Sequence, residues 1–259
     1  MNTQDVKMIR ILSTIPLNSV EAKSKMPTAM GSGCFVNYKG TLIFLTVLHT
    51  VEVKENVKHC IVVDYDLGKG GIHLFPIDDF SVCAMGSLLT EKIDLLDFAM
   101  KKFEIPMPPY KFLINKDIEG EFERIDRIPL ISDFSGLLTN QEEYGFCGLI
   151  QGEMIPLNMM RESKEVKIST GLYSNLAYYD NVRYLETNEN CHVFVLENKG
   201  YSHEKFQGTS GAPIIDSKGN LVSLVMSGKQ SPTNSSEWLI YGVNLSQLST
   251  IVDINCDLI

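Results

Sequence analysis

Closely spaced cysteines are the first thing this chain lacks. Its six cysteines (Cys34, Cys60, Cys83, Cys147, Cys191 and Cys256) are far apart, with no Cys-x-x-Cys pair. That spacing argues against a structural zinc site and against a thioredoxin-like redox motif. In 259 residues with no leader-like N-terminus, buried thiols are expected rather than disulfides, and with them a cytoplasmic location. Long apolar runs are also missing. Residues Thr41 to Val51 come nearest, and they contain three threonines and a histidine, so no membrane span is expected. Lys7 and Arg10 precede the segment from Ile11 to Leu17, which is broken by Ser13, Thr14 and Pro16, unlike a secretory apolar core. Basic charge is scarce too: 23 Lys and Arg against 32 Asp and Glu give a net charge of -9. A phosphate backbone would find little here to neutralise it, so a nucleic-acid partner is not expected.

The chain does hold an ordinary globular composition, 44% hydrophobic and 21% charged. Short runs rich in Val, Ile, Leu and Phe recur along it: Gly33 to Tyr38, Thr41 to Leu48, Cys60 to Tyr65 and Phe98 to Phe103. A second series follows at Tyr144 to Ile150, Cys191 to Leu196, Pro213 to Ile215 and Leu221 to Met226. Lys39-Gly40 and the run from Gly68 to Gly71 read as turns between strands, and the run from Asp216 to Asn220 as a hairpin turn. This pattern predicts an all-β fold, a sandwich or a pair of barrels. Helical spacing emerges only from Asn244 to Val252, where a short C-terminal helix is expected. The polar stretches Asn181 to Asn190 and Gly228 to Trp238 read as surface loops. A Pro-rich and then charged stretch begins at Glu104. It divides the chain into an N-terminal unit over residues 1–110, a connection over 111–140 and a C-terminal unit over 141–259. Residues 1 to about 25 are expected to pack along the two units.

Three segments carry chemistry. His49 ends Leu45-Thr46-Val47-Leu48-His49, Asp97 opens Asp97-Phe98-Ala99-Met100, and Ser210 sits in Gly208-Thr209-Ser210-Gly211-Ala212-Pro213. A serine becomes a nucleophile only when a base removes its proton as it attacks, and a carboxylate commonly orients that base. Flanking glycines let the backbone turn tightly and present its N–H groups to a developing oxyanion. Each segment alone is commonplace: a strand-end histidine, a turn-capping aspartate, a glycine hairpin. Their order carries the weight. All five histidines precede Ser210, which rules out an α/β-hydrolase, whose histidine follows its serine. No Asp-Ser/Thr-Gly segment precedes a His-Gly segment, as a subtilisin would require.

Together with Gly31-Ser32-Gly33-Cys34-Phe35-Val36 and Val225-Met226-Ser227-Gly228, these segments resemble a trypsin-like serine protease of the chymotrypsin fold. The resemblance implies two antiparallel six-stranded β-barrels with the reacting groups between them. It implies His49 as base, Asp97 as its orienting acid, Ser210 as nucleophile, and the N–H groups of Gly208 and Ser210 as the oxyanion hole. Gln207, Met226, Ser227 and Gly228 would contact the substrate. Glu204 would fall near the base of the primary specificity pocket, where an acid favours a Lys or Arg side chain. Thr50 stands where secreted trypsins carry a cysteine. Thr209 stands where they carry the aspartate that pairs with a new N-terminus. Both departures bring the chain closer to HtrA-like and viral relatives. The implied activity is a serine endopeptidase acting on a protein or peptide through an acyl-enzyme, with no metal and no organic cofactor. Its restraint would come from narrow specificity, an unformed oxyanion loop or an activating partner protein. The alternatives are a pseudoprotease that uses the same fold as a protein- or peptide-binding module, and an esterase.

Overall fold

A computed structural model of the chain describes residues 3–21, 27–52, 57–66, 71–87, 92–103, 111–115, 122–150, 175–188, 191–197, 200–201 and 203–258. Helix α1 (Thr3–Ser13) runs directly into β1 (Thr14–Glu21). Then come β2 (Pro27–Tyr38), β3 (Thr41–Thr46), β4 (Val57–Asp66), β5 (Gly71–Pro76), β6 (Ser81–Ser87) and β7 (Lys92–Lys102). The hairpin of β8 (Lys111–Asn115) and β9 (Phe122–Asp126) and the short β10 (Leu130–Ile131) lead to the second half. That half comprises β11 (Glu143–Ile150), β12 (Asn175–Asn188), β13 (Cys191–Glu197), β14 (Pro213–Asp216), β15 (Leu221–Gln230), β16 (Glu237–Val243) and α2 (Ser249–Asn255).

The second half is a closed antiparallel barrel in the order β11-β12-β13-β16-β15-β14. The first half is a sheet in the order β5-β4-β1-β2-β3-β7-β6, with β10 joined to β2. Among the described residues it does not close, and it holds eight strands rather than the six of a simple barrel. Its added strands come from stretches too short or too polar to stand out in the sequence. Strand β10, for instance, pairs in parallel with Val36 and Asn37. It covers the edge of β2 that is left bare where the β1 ladder ends at Cys34.

Turn chemistry fixes the registers. Lys39 and Gly40 both take positive φ, 47° and 87°, forming the two-residue loop that joins Tyr38 to its partner Thr41. In the β14–β15 turn, the buried Asp216 carboxylate accepts the N–H groups of Lys218 and Asn220 and the amide of Asn220, each at 2.8 Å. Residues 68–70 of the turn expected from Gly68 to Gly71 lie outside the described residues. Two expectations fail. The stretch from Asn181 to Asn190 is strand β12 as far as Asn188, paired with β11 up to Arg183 and with β13 from Arg183 onwards. Its polar residues face solvent while Tyr179 and Val182 are buried. The stretch from Gly228 to Trp238 is strand at both ends, and Trp238 lies in the barrel core.

Each half has its own core, one around Phe35 and Phe44, the other around Phe146, Tyr179, Phe206 and Trp238. A third cluster joins them. Val36, Leu45 and Phe98 of the first sheet pack with Ile215 and Leu224 of the barrel. Leu248 and Val252, from the C-terminal turn and α2, join the same cluster. Polar ties add to this: Arg10 of α1 donates to the Ile215 carbonyl at 3.0 Å, and the hydroxyl of Thr14, which opens β1, lies 2.7 and 2.8 Å from the carbonyls of Arg10 and Cys147. Among the described residues, no helix is long and apolar enough to cross a membrane.

Candidate active site

Strand β3 ends at Thr46, and the chain turns through a single 3-10 turn at Leu48–Thr50. Thr50 closes this turn with its N–H on the Val47 carbonyl at 3.2 Å, and its hydroxyl oxygen lies 2.7 Å from the same carbonyl and 2.9 Å from the Thr46 hydroxyl. The turn leaves the His49 side chain 47% exposed, whereas Thr46 and Val47 are buried. Asp97 arrives on β7, which pairs with β3 through Thr46 and Ala99. Its carboxylate accepts the His49 backbone N–H at 3.0 Å. It also lies 2.8 and 3.0 Å from Nδ1 of the ring. A carboxylate only accepts, so Nδ1 must carry the proton, and Nε2 is left with a lone pair for a donor.

Ser210 lies on the loop between Phe206 and Pro213, where Gly208 and Gly211 take φ of 90° and 85°. Glycine at 211 is required twice over, because a Cβ there would meet the Ser32 carbonyl oxygen at 1.9 Å. The loop's peptides alternate between tied and open. The Gly208–Thr209 peptide is held by the Ser32 hydroxyl on its carbonyl at 2.8 Å and by its N–H on Phe206 at 3.1 Å. The Ser210–Gly211 peptide is held by the Ser32 N–H on its carbonyl and by its own N–H on Val225, both at 2.7 Å. Between and before these lie the N–H groups of Ser210 and Gly208. Among the described residues, neither has a protein acceptor.

The Ser210 hydroxyl donates to the Met226 carbonyl at 3.2 Å, not to His49. The structure therefore joins His49 to Asp97 directly and leaves Ser210 hydrogen-bonded to β15. A neutral hydroxyl–carbonyl bond of this kind is worth about 1 kcal/mol net.

Strand β15 pairs with β14 only as far as Leu224. From Ser227 to Gln230 it pairs with β16 on one side. Among the described residues its other edge is unpaired beside the Ser210 loop, an opening where an extended peptide could add as a strand. Met226 and Gly228 are half-buried, while Ser227 and Gln207 are exposed. Glu204 falls in the 3-10 turn His203–Phe206, and its side chain lies outside the described residues. Thr209 is buried against Gly148, so this position holds no acid.

Three hydroxyl residues given no part in the chemistry matter here. Ser32, Thr46 and Thr50 are buried and joined in series. Thr46 donates to the Ser32 carbonyl at 2.7 Å, and its oxygen lies 2.9 Å from that of Thr50. Their sequence signals are slight: Ser32 lies between two glycines, Thr46 in an apolar strand and Thr50 beside His49.

Two further histidines serve the fold. Burial drives His192 down to about 4, and its Nδ1 lies 2.8 Å from the Thr187 hydroxyl. Burial also lowers His59, against a smaller upward pull from Asp78. Among the described residues no group of three or more His, Cys, Asp or Glu side chains is placed to hold a metal ion.

No protein-family model matches the chain, and no curated protein matches it. Among solved structures it is similar to the Rv3671c protease from M. tuberculosis in its active form, at 13% identity and a TM-score of 0.43. That match covers 94% of this chain and 82% of the other. It is also similar to the HtrA-type protease AlgW with a decapeptide, at 11% identity and a TM-score of 0.46, covering 98% of this chain and 68% of the other.

Proposed function

We propose that this chain is a serine endopeptidase that cleaves a protein or peptide substrate through an acyl-enzyme. One observation carries the reading: a histidine whose Nδ1 is committed to a carboxylate accompanies a serine loop with two unengaged N–H groups. In this mechanism Ser210 Oγ attacks the scissile carbonyl carbon as its proton passes to His49 Nε2. The Asp97 carboxylate offsets the positive charge that forms on the imidazole. The negative oxygen is met by the N–H groups of Gly208 and Ser210, each donor of this kind being worth about 3–4 kcal/mol in the transition state. His49 then protonates the departing amine. Water, deprotonated by the same imidazole, attacks the ester and frees Ser210. The substrate backbone adds to the unpaired edge of β15 at Ser227 and Gly228. All of this uses side chains and backbone alone, without a metal or an organic cofactor. The buried thiols Cys34, Cys60, Cys147 and Cys256 support a cytoplasmic setting.

A second reading has an observation of its own. The Ser210 hydroxyl bonds to Met226 rather than to His49, as a protein- or peptide-binding module without chemistry would allow. A fluorophosphonate probe separates the two readings. On the protease reading, intact mass gains one adduct in the wild type and none in Ser210→Ala or His49→Ala. A folded wild type that stays unlabelled in the presence of excess probe counts against the endopeptidase and leaves the binding module.

A further inference from the structure

Against Asp97 lies a cavity of about 670 Å³ whose lining includes Asp97 but not His49. Both halves of the molecule build it: Leu96 and Asp97 from β7, Met226 and Val243 from the barrel, and Leu248 from the turn before α2. Cavities of this size are typical of small-molecule sites, which pair mostly apolar walls with a few placed polar groups. Here Leu96, Met226, Val243 and Leu248 supply apolar wall, and Thr187, Asn188, Asn244 and Gln247 supply polar groups. The one charged group among its described lining residues is the carboxylate of Asp97, whose side chain is 25% exposed.

That carboxylate has capacity to spare. A carboxylate offers about four acceptor positions, and its hydrogen-bond donors are the backbone N–H and Nδ1–H of His49. The cavity therefore has in its wall an anion with open lone pairs beside apolar side chains, and its described lining contains no cation. We infer that this cavity binds an organic ammonium, a primary amine carried on an apolar body, with the charged head on Asp97 and the body against Leu96, Met226 and Leu248.

Such a ligand has a defined consequence for the adjoining site, a consequence that rests on the protease reading above. Asp97 can stabilise a positive imidazole only if its charge is not already met from the cavity. A cation in the cavity competes for that charge, so the amine acts as an inhibitor without touching Ser210 or the substrate edge of β15.

Binding is measured apart from activity. The protein is prepared with [13C]methyl-methionine, and the Met226 signal is assigned by its loss in Met226→Leu. n-Hexylammonium is then titrated against hexan-1-ol, which has the same chain without the charge. The expected result is a saturable shift of the Met226 methyl with the amine, at least tenfold weaker binding of the alcohol, and at least tenfold weaker binding of the amine to Asp97→Asn. An absent or non-saturating shift, equal binding of amine and alcohol, or undiminished amine binding by Asp97→Asn overturns the site. Fluorophosphonate labelling of Ser210 at saturating amine is the second arm. A slowing of fivefold or more supports the coupling, and an unchanged rate overturns it. Should the unliganded protein take no label at all, the protease reading fails while the methyl titration still decides the site.

Discussion

Replacing Ser32 with alanine separates the holding of the nucleophile loop from the holding of the fold. Ser32 is fully buried, and its hydroxyl ties the Gly208 carbonyl at 2.8 Å. Its backbone N–H, which the substitution keeps, ties the Ser210 carbonyl at 2.7 Å. Alanine therefore frees the Gly208–Thr209 peptide on its carbonyl side and leaves the Ser210–Gly211 peptide held. Losing one neutral hydrogen bond and leaving a partly buried carbonyl without a partner costs about 1–2 kcal/mol. That is less than the ~3–4 kcal/mol lost when an oxyanion donor is removed outright. If the cost falls on the orientation of the neighbouring N–H groups, labelling of Ser210 by a fluorophosphonate slows roughly 5- to 30-fold. The melting temperature falls by roughly 2–8 °C, as about 1–2 kcal/mol does in a chain of this size. Ser223→Ala is the matched control. That serine is also fully buried, and its hydroxyl donates to the Val243 carbonyl at 2.8 Å, inside the barrel and away from the loop. It should lose similar stability and keep its labelling rate. Equal labelling rates in the wild type and Ser32→Ala, at a lowered melting temperature, would refute the positioning argument.

Gly211→Ala should be far harsher, because its Cβ would stand 1.9 Å from a backbone oxygen at a φ of 85°. Loss of labelling together with several kcal/mol of stability in a urea titration is expected. Asp216→Ala removes an acceptor of three donors in the β14–β15 turn and should lower stability while Ser210 still labels. Burial pushes the Cys60 thiol up to about 11 and Cys147 to about 12, with Cys34 raised further. These thiols should therefore resist a disulfide reagent at pH 8 until denaturant is added. Burial holds His192 near 4 in the native state, whereas an unfolded imidazole titrates near 6.5. The unfolded chain binds the proton first on acidification, so stability is full above about pH 6.5 and declines as pH falls towards 4. His192→Gln should flatten that decline in urea titrations run across the window.

Much of the fold could be read in the sequence because local signals and packing agree. The β2–β3 and β14–β15 hairpins were legible because their turns carry the residues the geometry needs, Lys39-Gly40 and Asp216 to Asn220. The C-terminal helix was legible because Leu245, Leu248 and Val252 recur at helical spacing, and all three are buried in the shared core. Strand β12 escaped for the opposite reason. Its outer face is polar, and pairing with β11 up to Arg183 and with β13 from there makes it a strand whatever its composition. Helix α1 escaped because its buried apolar residues are few, Val6 and Leu12 with Ile9 against the shared core, and its tie through Arg10 to Ile215 is long-range. At the site, His49 and Asp97 were found as residues, and the structure supplies the bond between them. Ser32 was invisible as a participant, since nothing in Gly31-Ser32-Gly33 tells that its hydroxyl meets a carbonyl 176 positions away.

That contact bears on how a reactive site can be divided between two halves of a chain. A serine on one half and a histidine on the other keep a fixed relation only if something stiffer than a hydrophobic contact joins their loops. Apolar packing is non-directional and does not set the angle of a peptide. Here the join is a series of hydroxyls. Ser32 on β2 holds two carbonyls of the Ser210 loop. Its own carbonyl is held by Thr46, whose oxygen accepts the Thr50 hydroxyl at 2.9 Å. The Thr50 N–H closes the turn on which His49 rides, on the Val47 carbonyl. Gly31 permits the approach, since a Cβ there would lie 2.6 Å from the Thr50 methyl and 2.9 Å from the Ser210 carbonyl oxygen. Every hydroxyl in this series is buried, where unmatched polar atoms are costly and satisfied networks are rigid. The same position beside His49 could hold two loops together by a disulfide, but a threonine does so without an oxidising environment. The series predicts its own coupling. Thr50→Val keeps the volume and removes the hydroxyl, so it should slow Ser210 labelling although that hydroxyl meets Thr46 and Val47 rather than the serine or the imidazole. Combined with Ser32→Ala, it should cost less than the sum of the two single changes, because each breaks the same chain of bonds. Full additivity of the two effects on the labelling rate would mean that the loops are held independently.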